Sequence, residues 1–246
     1  MNTIFISDLH LTPERPEVTT LFFRFLKQQL KNVTGLYILG DLFDAWIGDD
    51  DDTPIYSEII AALKTATLAG TNVFIQPGNR DFLLGKRFAK ATGCKFLQDP
   101  TSINLYGTRT LLMHGDLLCT DDVAYQRFRR FARNPFWKQL FLWRSLAARR
   151  YQAAKYRTQS NAATANKSLE IMDVNQATVR QYIQRFKATQ FIHGHIHRPG
   201  QYGIFIDTST ESDHIIGKRW VLGEWQDDNA CILKANKNSI QFETIT

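Results

Sequence analysis

Five short segments of this 246-residue chain carry side chains that bind metal ions, and each follows an apolar run. The segments are Asp8-Leu9-His10, Gly40-Asp41-Leu42-Phe43-Asp44, Gly78-Asn79-Arg80-Asp81, His114-Gly115-Asp116 and His193-Gly194-His195-Ile196-His197. In an extended segment, residues two apart point to the same side, so the D-x-H pair and the H-x-H pair each direct two groups to one centre. Nitrogen and carboxylate donors without thiolates suit Mn²⁺, Fe²⁺ or Zn²⁺ better than Ca²⁺.

Two carboxylates, four histidines and one asparagine amide are too many donors for one ion with an open position, and about right for two. These donors are Asp8, His10, Asp41, Asn79, His114, His195 and His197. A bridging carboxylate holds two cations about 3.5–4 Å apart with a hydroxide between them, placed for in-line attack on phosphorus. We expect Asp41 to be the bridge, because it follows a glycine that permits a tight turn.

Apolar runs of four to six residues alternate with longer amphipathic stretches, which is typical of strands connected by helices. The predicted buried strands cover residues 3–7, 36–39, 73–76, 110–113 and 190–192, and β-like runs follow at 220–222, 230–234 and 240–244. Thr53-Pro54 predicts a helix start, and Asp173 predicts another N-cap. Because ligands gather at the carboxyl ends of strands in an α/β sheet, the five segments are expected to meet there. The sequence predicts one α/β domain over residues 1–246.

The formal net charge of +6 is concentrated in one part of the chain. Residues 123–169 contain eleven Lys or Arg and no Asp or Glu, so the other residues together carry −5. Nine aromatic residues lie among these cations, a mixture typical of a surface that meets an anionic amphiphile or nucleic acid. The alternative is a helical insert whose aromatics pack inward and whose cations are solvated. We interpret residues 119–172 as a helical insertion, or cap, within the domain.

The composition excludes several classes of protein. With 43% hydrophobic and 22% charged residues, the chain is globular rather than disordered, collagen-like or coiled-coil. Three cysteines without paired spacing favour a reducing compartment over a disulfide framework. The first residues do not resemble an export signal, and no stretch approaches the roughly 20 apolar residues of a membrane span.

The order DLH, GDLFDAW, GNRD, HGD and GHIHRP resembles the calcineurin-like metallophosphoesterases, whose pattern runs D-x-H, G-D-x-x-D, G-N-H-[DE], H and G-H-x-H. The likeness spans residues 8–199 and implies an αββα sandwich. It also implies how the donors are shared: one metal is held at the positions of Asp8, His10, Asp41 and His197, and the other at those of Asp41, Asn79, His114 and His195.

One position departs from the family pattern. Arg80 stands where many members have a histidine. An arginine is not a general acid near neutral pH, but it forks onto phosphate oxygens and stabilises developing charge. A diphosphate substrate is therefore favoured, because its leaving group is itself a phosphate. The catalytic candidates are Asp41, Asn79, Arg80 and His195.

Further phrases, LYILGDLFDAWIGDDD, GNRDFLLGKRF, MHGDLLCTDD, SLEIMDVNQ and IHGHIHRP, resemble the members of the family that hydrolyse a diacylated sugar nucleotide in lipid A assembly. The resemblance implies two Mn²⁺ per chain, with Fe²⁺ or Zn²⁺ left open, and attack at the nucleotide-side phosphorus to release UMP. It implies substrate contacts at Asn79, Arg80, Asp122, Ser160, Thr164, Lys167 and His195, where Thr164 replaces a frequent asparagine.

The same resemblance implies a peripheral protein at the cytoplasmic face of a Gram-negative inner membrane. The expected partners are the acylated sugar nucleotide and an anionic membrane surface, with no nucleic acid and no obligate protein partner. Two alternatives stay open: a nuclease using the same metal core, and a metal-free interaction module.

Several acidic residues and one histidine fall outside the ligand set. Asp44, Asp81 and Asp116 are expected to orient ligands from outside the coordination sphere. Residues 49–52 are expected to form a solvated loop, and His214 receives no role.

Overall fold

Eleven strands and seven α-helices make up the described part of this computed structural model, which covers residues 2–165, 173–205 and 215–246. The strands are β1 (Asn2–Ile6), β2 (Val33–Leu39), β3 (Asn72–Gln76), β4 (Lys95–Phe96), β5 (Thr101–Leu105), β6 (Thr108–Leu112), β7 (Gln190–His193), β8 (Gly200–Phe205), β9 (Ile215–Val221), β10 (Ala230–Ala235) and β11 (Ile240–Ile245). The helices are α1 (Pro16–Gln29), α2 (Pro54–Leu68), α3 (Lys86–Thr92), α4 (Val123–Ala132), α5 (Pro135–Leu142), α6 (Leu146–Ala165) and α7 (Gln176–Phe186).

The strands form two sheets. One has the order β11-β10-β1-β2-β3-β4 and the other the order β5-β6-β7-β9-β8. Strands β1 to β4 pair in parallel, as do β6, β7 and β9, whereas β10, β11, β5 and β8 join antiparallel. The parallel strands place the ends of β1, β2 and β3, and of β6 and β7, at common sheet edges, which is where the five ligand segments begin.

Three apolar clusters hold the layers together. Phe5 and Leu39 of one sheet pack with Leu112 and Ile192 of the other, so the sheets face each other across a shared core. Helices α1, α2 and α3 cover the outer face of the first sheet, and α7 covers the second. The layers therefore run helix, sheet, sheet, helix, and the predicted α/β sandwich is confirmed.

The five predicted buried strands are present as β1, β2, β3, β6 and β7, and the C-terminal runs form β9, β10 and β11. Helix α2 starts at Pro54 as expected, but the Thr53 hydroxyl donates to Asp51 at 2.8 Å instead of capping the helix. The predicted N-cap at Asp173 is wrong. Asn175 Oδ1 caps α7 by accepting from Thr178 N at 3.0 Å, while Asp173 accepts a hydrogen bond from Arg198.

The predicted insertion is helical over α4, α5 and α6, and residues 166–172 at its end lie outside the described residues. It follows β6 and precedes α7, so both of its ends return to the second sheet. None of the described helices combines the length and the apolar character needed to cross a bilayer.

The loop of residues 49–52 holds the insertion against the body of the protein. It is solvated in part, as expected, since Asp50 and Asp52 are exposed, but its carboxylates also have partners. Arg149 of α6 is 2% exposed and donates to Ile47 O at 2.7 Å and to both carboxylate oxygens of Asp50. Arg150 pairs with the next two aspartates of the loop. Asp49 accepts from three backbone N–H groups at the start of α3, at 2.9–3.0 Å. Every carboxylate of this run therefore has a partner.

Replacing Arg149 should destabilise the fold more than replacing Arg150. Arg149→Ala removes a buried guanidinium and leaves Ile47 O without its donor, which should cost about 1.5–3 kcal/mol of unfolding free energy. Arg150→Ala removes ion pairs made by a guanidinium that is 45% exposed, and Asp51 keeps its hydrogen bonds from Thr53, so the cost should be smaller. Urea unfolding of both variants measures the difference, and equal losses would contradict the assignment of Arg149 as the main contact.

Candidate metal centre

Hydrogen bonds between the loops that follow β1 and β2 bring the first two ligand segments together. Asp8 N donates to Gly40 O at 3.1 Å, and His10 N donates to Asp41 O at 3.0 Å. These bonds continue the parallel pairing of the two strands beyond their ends. The sheet itself therefore sets the distance between the D-x-H segment and the segment that contains Asp41.

Five of the seven candidate ligands have backbone conformations that L-residues rarely adopt. The positive φ angles are 55° at Asp8, 49° at His10, 53° at Asp41, 72° at His195 and 52° at His197. Three other non-glycine residues in the described ranges share this property. A left-handed conformation at a non-glycine residue persists only where its surroundings enforce it, and such residues gather at functional sites.

The ligand atoms converge on two groups. Asp8, His10 and His197 form one group, and Asp8, Asp41 and His114 form another, with the ligand atoms of each lying within 4.8 Å of one another. Asp41 Oδ2 is 3.9 Å from His10 Nε2 and 3.8 Å from His114 Nε2. A single carboxylate oxygen of Asp41 thus lies near one histidine of each group, although Asp8 is the residue that the two groups share. The bridging role of Asp41 stays a prediction.

The remaining two candidate ligands lie beside His114, a member of the second group. His114 Nε2 lies 2.7 Å from Asn79 Oδ1, and the ring centroids of His114 and His195 are 5.0 Å apart. His114 Nδ1 lies 2.9 Å from Leu39 O, which fixes the plane of the ring. The structure therefore brings all seven sequence-predicted metal ligands to one place.

The donors fit divalent cations. Asp8 Oδ1 is buried and lacks a hydrogen bond, and so does His10 Nδ1. A buried carboxylate oxygen without a partner is costly, and a bound cation would satisfy it. Carboxylate, imidazole and amide donors suit first-row divalent ions.

Carboxylate charges act strongly on two of the four candidate histidine ligands. Burial favours neutral His114, yet the charges of Asp41 and Asp8 outweigh burial and raise the pKa of His114 to about 9. Burial likewise opposes the charge on His197, but Asp8 and Glu224 raise the pKa of His197 to about 10. Carboxylates that attract protons this strongly also favour metal cations in the same position.

Asp81 and Asp116 lie outside the two candidate metal groups, and both are held by hydrogen bonds. Asp81 is fully buried and accepts from Gly78 N at 2.7 Å and from Leu42 N at 2.8 Å, tying two ligand loops together. Burial, followed by the charge of Asp41, raises the pKa of Asp81 to about 6. Asp116 accepts from Tyr125 Oη at 2.8 Å and from Arg129 Nε at 2.6 Å, which connects the His114 segment to α4 of the insertion.

Asp44 also lies outside the candidate metal groups. Its carboxylate is ion-paired with Arg157 of α6, and its Oδ1 is 3.9 Å from His10 Nδ1. Asp44 therefore connects the second ligand segment to the far helix of the insertion.

Five of the seven predicted substrate contacts line one cavity of about 770 Å³ between the body and the insertion. Its walls include Asn79, Arg80, Asp122, Ser160 and His195. Asp122 also caps α4 by accepting from Tyr125 N at 3.1 Å. Thr164 belongs to α6, but its side chain is not among those described, and Lys167 and His214 lie outside the described residues.

Sequence reasoning missed two residues that contact the ligands. Ser7 Oγ donates to Asp8 Oδ2 at 2.5 Å, and Glu224 Oε2 lies 3.1 Å from His197 Nδ1. Ser7 could have been found, because it directly precedes Asp8 at the end of a strand. Glu224 carries no such signal, since it follows the eighth and ninth strands, far along the chain from the H-x-H segment.

The chain is similar to known proteins along nearly its whole length. Residues 1–199 match the family model described as calcineurin-like phosphoesterase. The chain is 46% identical to a UDP-2,3-diacylglucosamine hydrolase of Serratia proteamaculans, over 98% of both chains. It is 44% identical to proteins of the same name from Salmonella agona and Cellvibrio japonicus, over 94% of both chains in each case.

Removing Asp41 should disrupt metal binding, whereas removing the Arg80 side chain should not. Asp41→Ala removes a carboxylate oxygen that lies near a histidine of each group. Loss of a residue that only hydrogen-bonds to a metal ligand lowers metal affinity roughly 10–100-fold, so loss of Asp41 should lower Mn²⁺ affinity by at least that much. Arg80→Ala is the matched control, because the bond from Arg80 N to Asp41 Oδ1 at 2.8 Å is a backbone bond and survives. Equilibrium dialysis with Mn²⁺ measures both variants. Unchanged affinity in Asp41→Ala, or lost affinity in Arg80→Ala, would contradict these roles.

Proposed function

The chain belongs to the calcineurin-like phosphoesterase family, and we propose that it hydrolyses the diphosphate bond of UDP-2,3-diacylglucosamine in lipid A biosynthesis. The products are UMP and 2,3-diacylglucosamine 1-phosphate. The observation that carries this proposal is the cavity, which joins the metal ligands and Arg80 to a set of aromatic side chains. A substrate with a diphosphate and two acyl chains needs both kinds of surface in one space.

The proposed cofactor is a pair of Mn²⁺ ions. Asp8, His10, Asp41 and His197 would hold one ion, and Asp41, Asn79, His114 and His195 the other. Bound divalent cations supply Lewis acidity, which neutralises charge on phosphate oxygens and lowers the pKa of water.

Arg80 is placed to bind the diphosphate. Its backbone is fixed at both ends, since Arg80 N donates to Asp41 Oδ1 and Arg80 O accepts from Trp46 N at 3.1 Å. Its side chain lines the cavity beside the ligands. A guanidinium there donates to phosphate oxygens and stabilises the negative charge that develops as the P–O bond to the acylated sugar phosphate breaks. Water supplies the new oxygen on the nucleotide-side phosphorus.

Aromatic side chains from the body and from the insertion form the proposed acyl-chain surface. These cavity-lining residues are Trp46, Phe82, Phe128, Trp137 and Phe141. The rings of Trp137 and Phe141 stack with centroids 5.3 Å apart, and Lys138 lies 5.7 Å from the centroid of Phe82. Trp137 and Phe141 thus pack inward. This agrees with the alternative interpretation of the sequence, in which the aromatic residues of the insertion face the protein interior.

Other aromatics of the insertion point outward and support attachment to an anionic membrane. Phe136 is 78% exposed, Trp143 76% and Tyr151 75%. Of the ten cations of the insertion that the structure describes, five pair with aspartates of the body. In the described ranges, Arg127, Arg130 and Lys155 are exposed and have no acidic group within 4 Å. Apolar rings with nearby cations bind anionic bilayer surfaces, at about 1 kcal/mol per cation. We place the protein peripherally at the cytoplasmic face of the inner membrane.

The reaction is tested with Mn²⁺-loaded protein, UDP-2,3-diacylglucosamine and water enriched in ¹⁸O. UMP should form, and mass spectrometry should find the label in UMP, because attack occurs at the nucleotide-side phosphorus. Label in the acylated sugar phosphate would contradict the site of attack. Absence of UMP with cleavage of single-stranded DNA would instead indicate a nuclease.

Membrane attachment should depend on the outward aromatics of the insertion. Trp143→Ser should lower binding to phosphatidylglycerol vesicles by about tenfold, since burying one large apolar side chain contributes roughly 1.5–3 kcal/mol. Leu68→Ser is the matched control, because Leu68 is 75% exposed but lies on α2 of the body. Vesicle co-sedimentation measures both. An equal effect of the two substitutions would contradict the proposed membrane surface.

A further inference from the structure

The loop that follows β9 returns to the metal centre. Trp225 in this loop is fully buried and packs edge-on against Phe22 and Phe25 of α1, with ring centroids 6.0 and 5.5 Å apart. Trp225 N donates to Asp8 O at 3.2 Å. The loop is therefore fixed both by packing on α1 and by a hydrogen bond to the backbone of a candidate ligand.

Glu224, the residue before this tryptophan, contacts a different candidate ligand. Glu224 Oε2 lies 3.1 Å from His197 Nδ1, and His197 Nε2 lies 3.4 Å from Asp8 Oδ1. The two ring nitrogens of His197 thus face opposite ways, one toward Glu224 and the other toward the ligand group. If Nδ1 donates its proton to Glu224, then Nε2 presents a lone pair to that group.

Arg15 holds the other side of Glu224. Arg15 Nη1 is 3.6 Å from Glu224 Oε1, and Arg15 Nη2 donates to Trp225 O at 3.1 Å and to Asp227 Oδ1 at 2.9 Å. The carboxylate of Glu224 is therefore held between a cation and an imidazole. An acidic residue needed only for solubility would not require contacts on both oxygens.

We propose that Glu224 is a positioning residue of the metal centre. By accepting a hydrogen bond from His197 Nδ1, it selects the tautomer and the ring orientation that offer Nε2 to the cation bound with Asp8 and His10. Arg15 and Trp225 keep the carboxylate in place. The inference rests on the metal centre of the proposed function but not on the identity of the substrate.

Metal binding tests the inference separately from turnover. Glu224→Ala should weaken the binding of one Mn²⁺ by about 10–100-fold, as loss of an outer-sphere partner does. Glu224→Gln should restore most of the affinity, because its amide oxygen still accepts from Nδ1–H. Asp227→Ala is the matched control, since Asp227 contacts Arg15 rather than His197 in the described structure. Mn²⁺ titration with detection of the free ion by electron paramagnetic resonance gives all three affinities.

A second measurement reads the tautomer directly. In Zn²⁺-loaded protein, ¹H–¹⁵N correlation spectra of the histidine rings should place the His197 proton on Nδ1, and Glu224→Ala should shift or broaden that signal. Mn²⁺ affinity within twofold of the parent in Glu224→Ala would overturn the inference. Equal losses of Mn²⁺ affinity in Glu224→Gln and Glu224→Ala would also overturn it. So would a loss of Mn²⁺ affinity in Asp227→Ala as large as that in Glu224→Ala. Failure to release UMP while Glu224→Ala still weakens metal binding would overturn the substrate assignment alone.

Discussion

The metal centre depends on the continuation of sheet pairing beyond the ends of the strands. Each candidate ligand lies on a loop. A loop alone would not hold an aspartate or histidine residue in a left-handed backbone conformation. The bonds from Asp8 N and His10 N to the loop after β2 supply that constraint, and Asp81 extends it to the loop after β3. The strained backbone is thus stabilised by hydrogen bonds that extend the parallel sheet, and these bonds also hold the carboxylates close together.

The insertion is connected to this centre by charge rather than by the sheets. Asp116 lies two residues after His114 and binds Arg129, while Arg133 donates to Gly78 O beside Asn79. About half of the cations of the insertion in the described ranges therefore pair with aspartates of the negative body. The charge that remains exposed is smaller than the composition suggests, and it lies among outward aromatic rings.

Much of the site could be predicted from sequence because its ligands are local. Each follows an apolar strand, and parallel strands bring their ends to one edge, so Asp8 and Asp41 could be placed together without coordinates. His114 follows β6 of the other sheet, and the order of the family motifs placed it with them. The partners of those ligands could not be predicted in this way. Glu224 meets His197 only because Trp225 packs on α1, and Arg149 meets Asp50 across the insertion. Such contacts depend on how elements pack, which periodicity and motif spacing do not describe.

The ion pairs between insertion and body bear on how this family diversifies. The insertion, residues 119–172, is one continuous piece of the chain that begins after the His114 segment, so recombination could exchange it without replacing any candidate metal ligand. Yet its arginines are matched to Asp44, Asp50 and Asp116, all on the body. If this insertion were transferred to a body without those aspartates, its arginines would be buried at the boundary without a compensating charge. Cap and body are therefore expected to change together in evolution, so a new substrate range requires coordinated changes on both sides of the boundary.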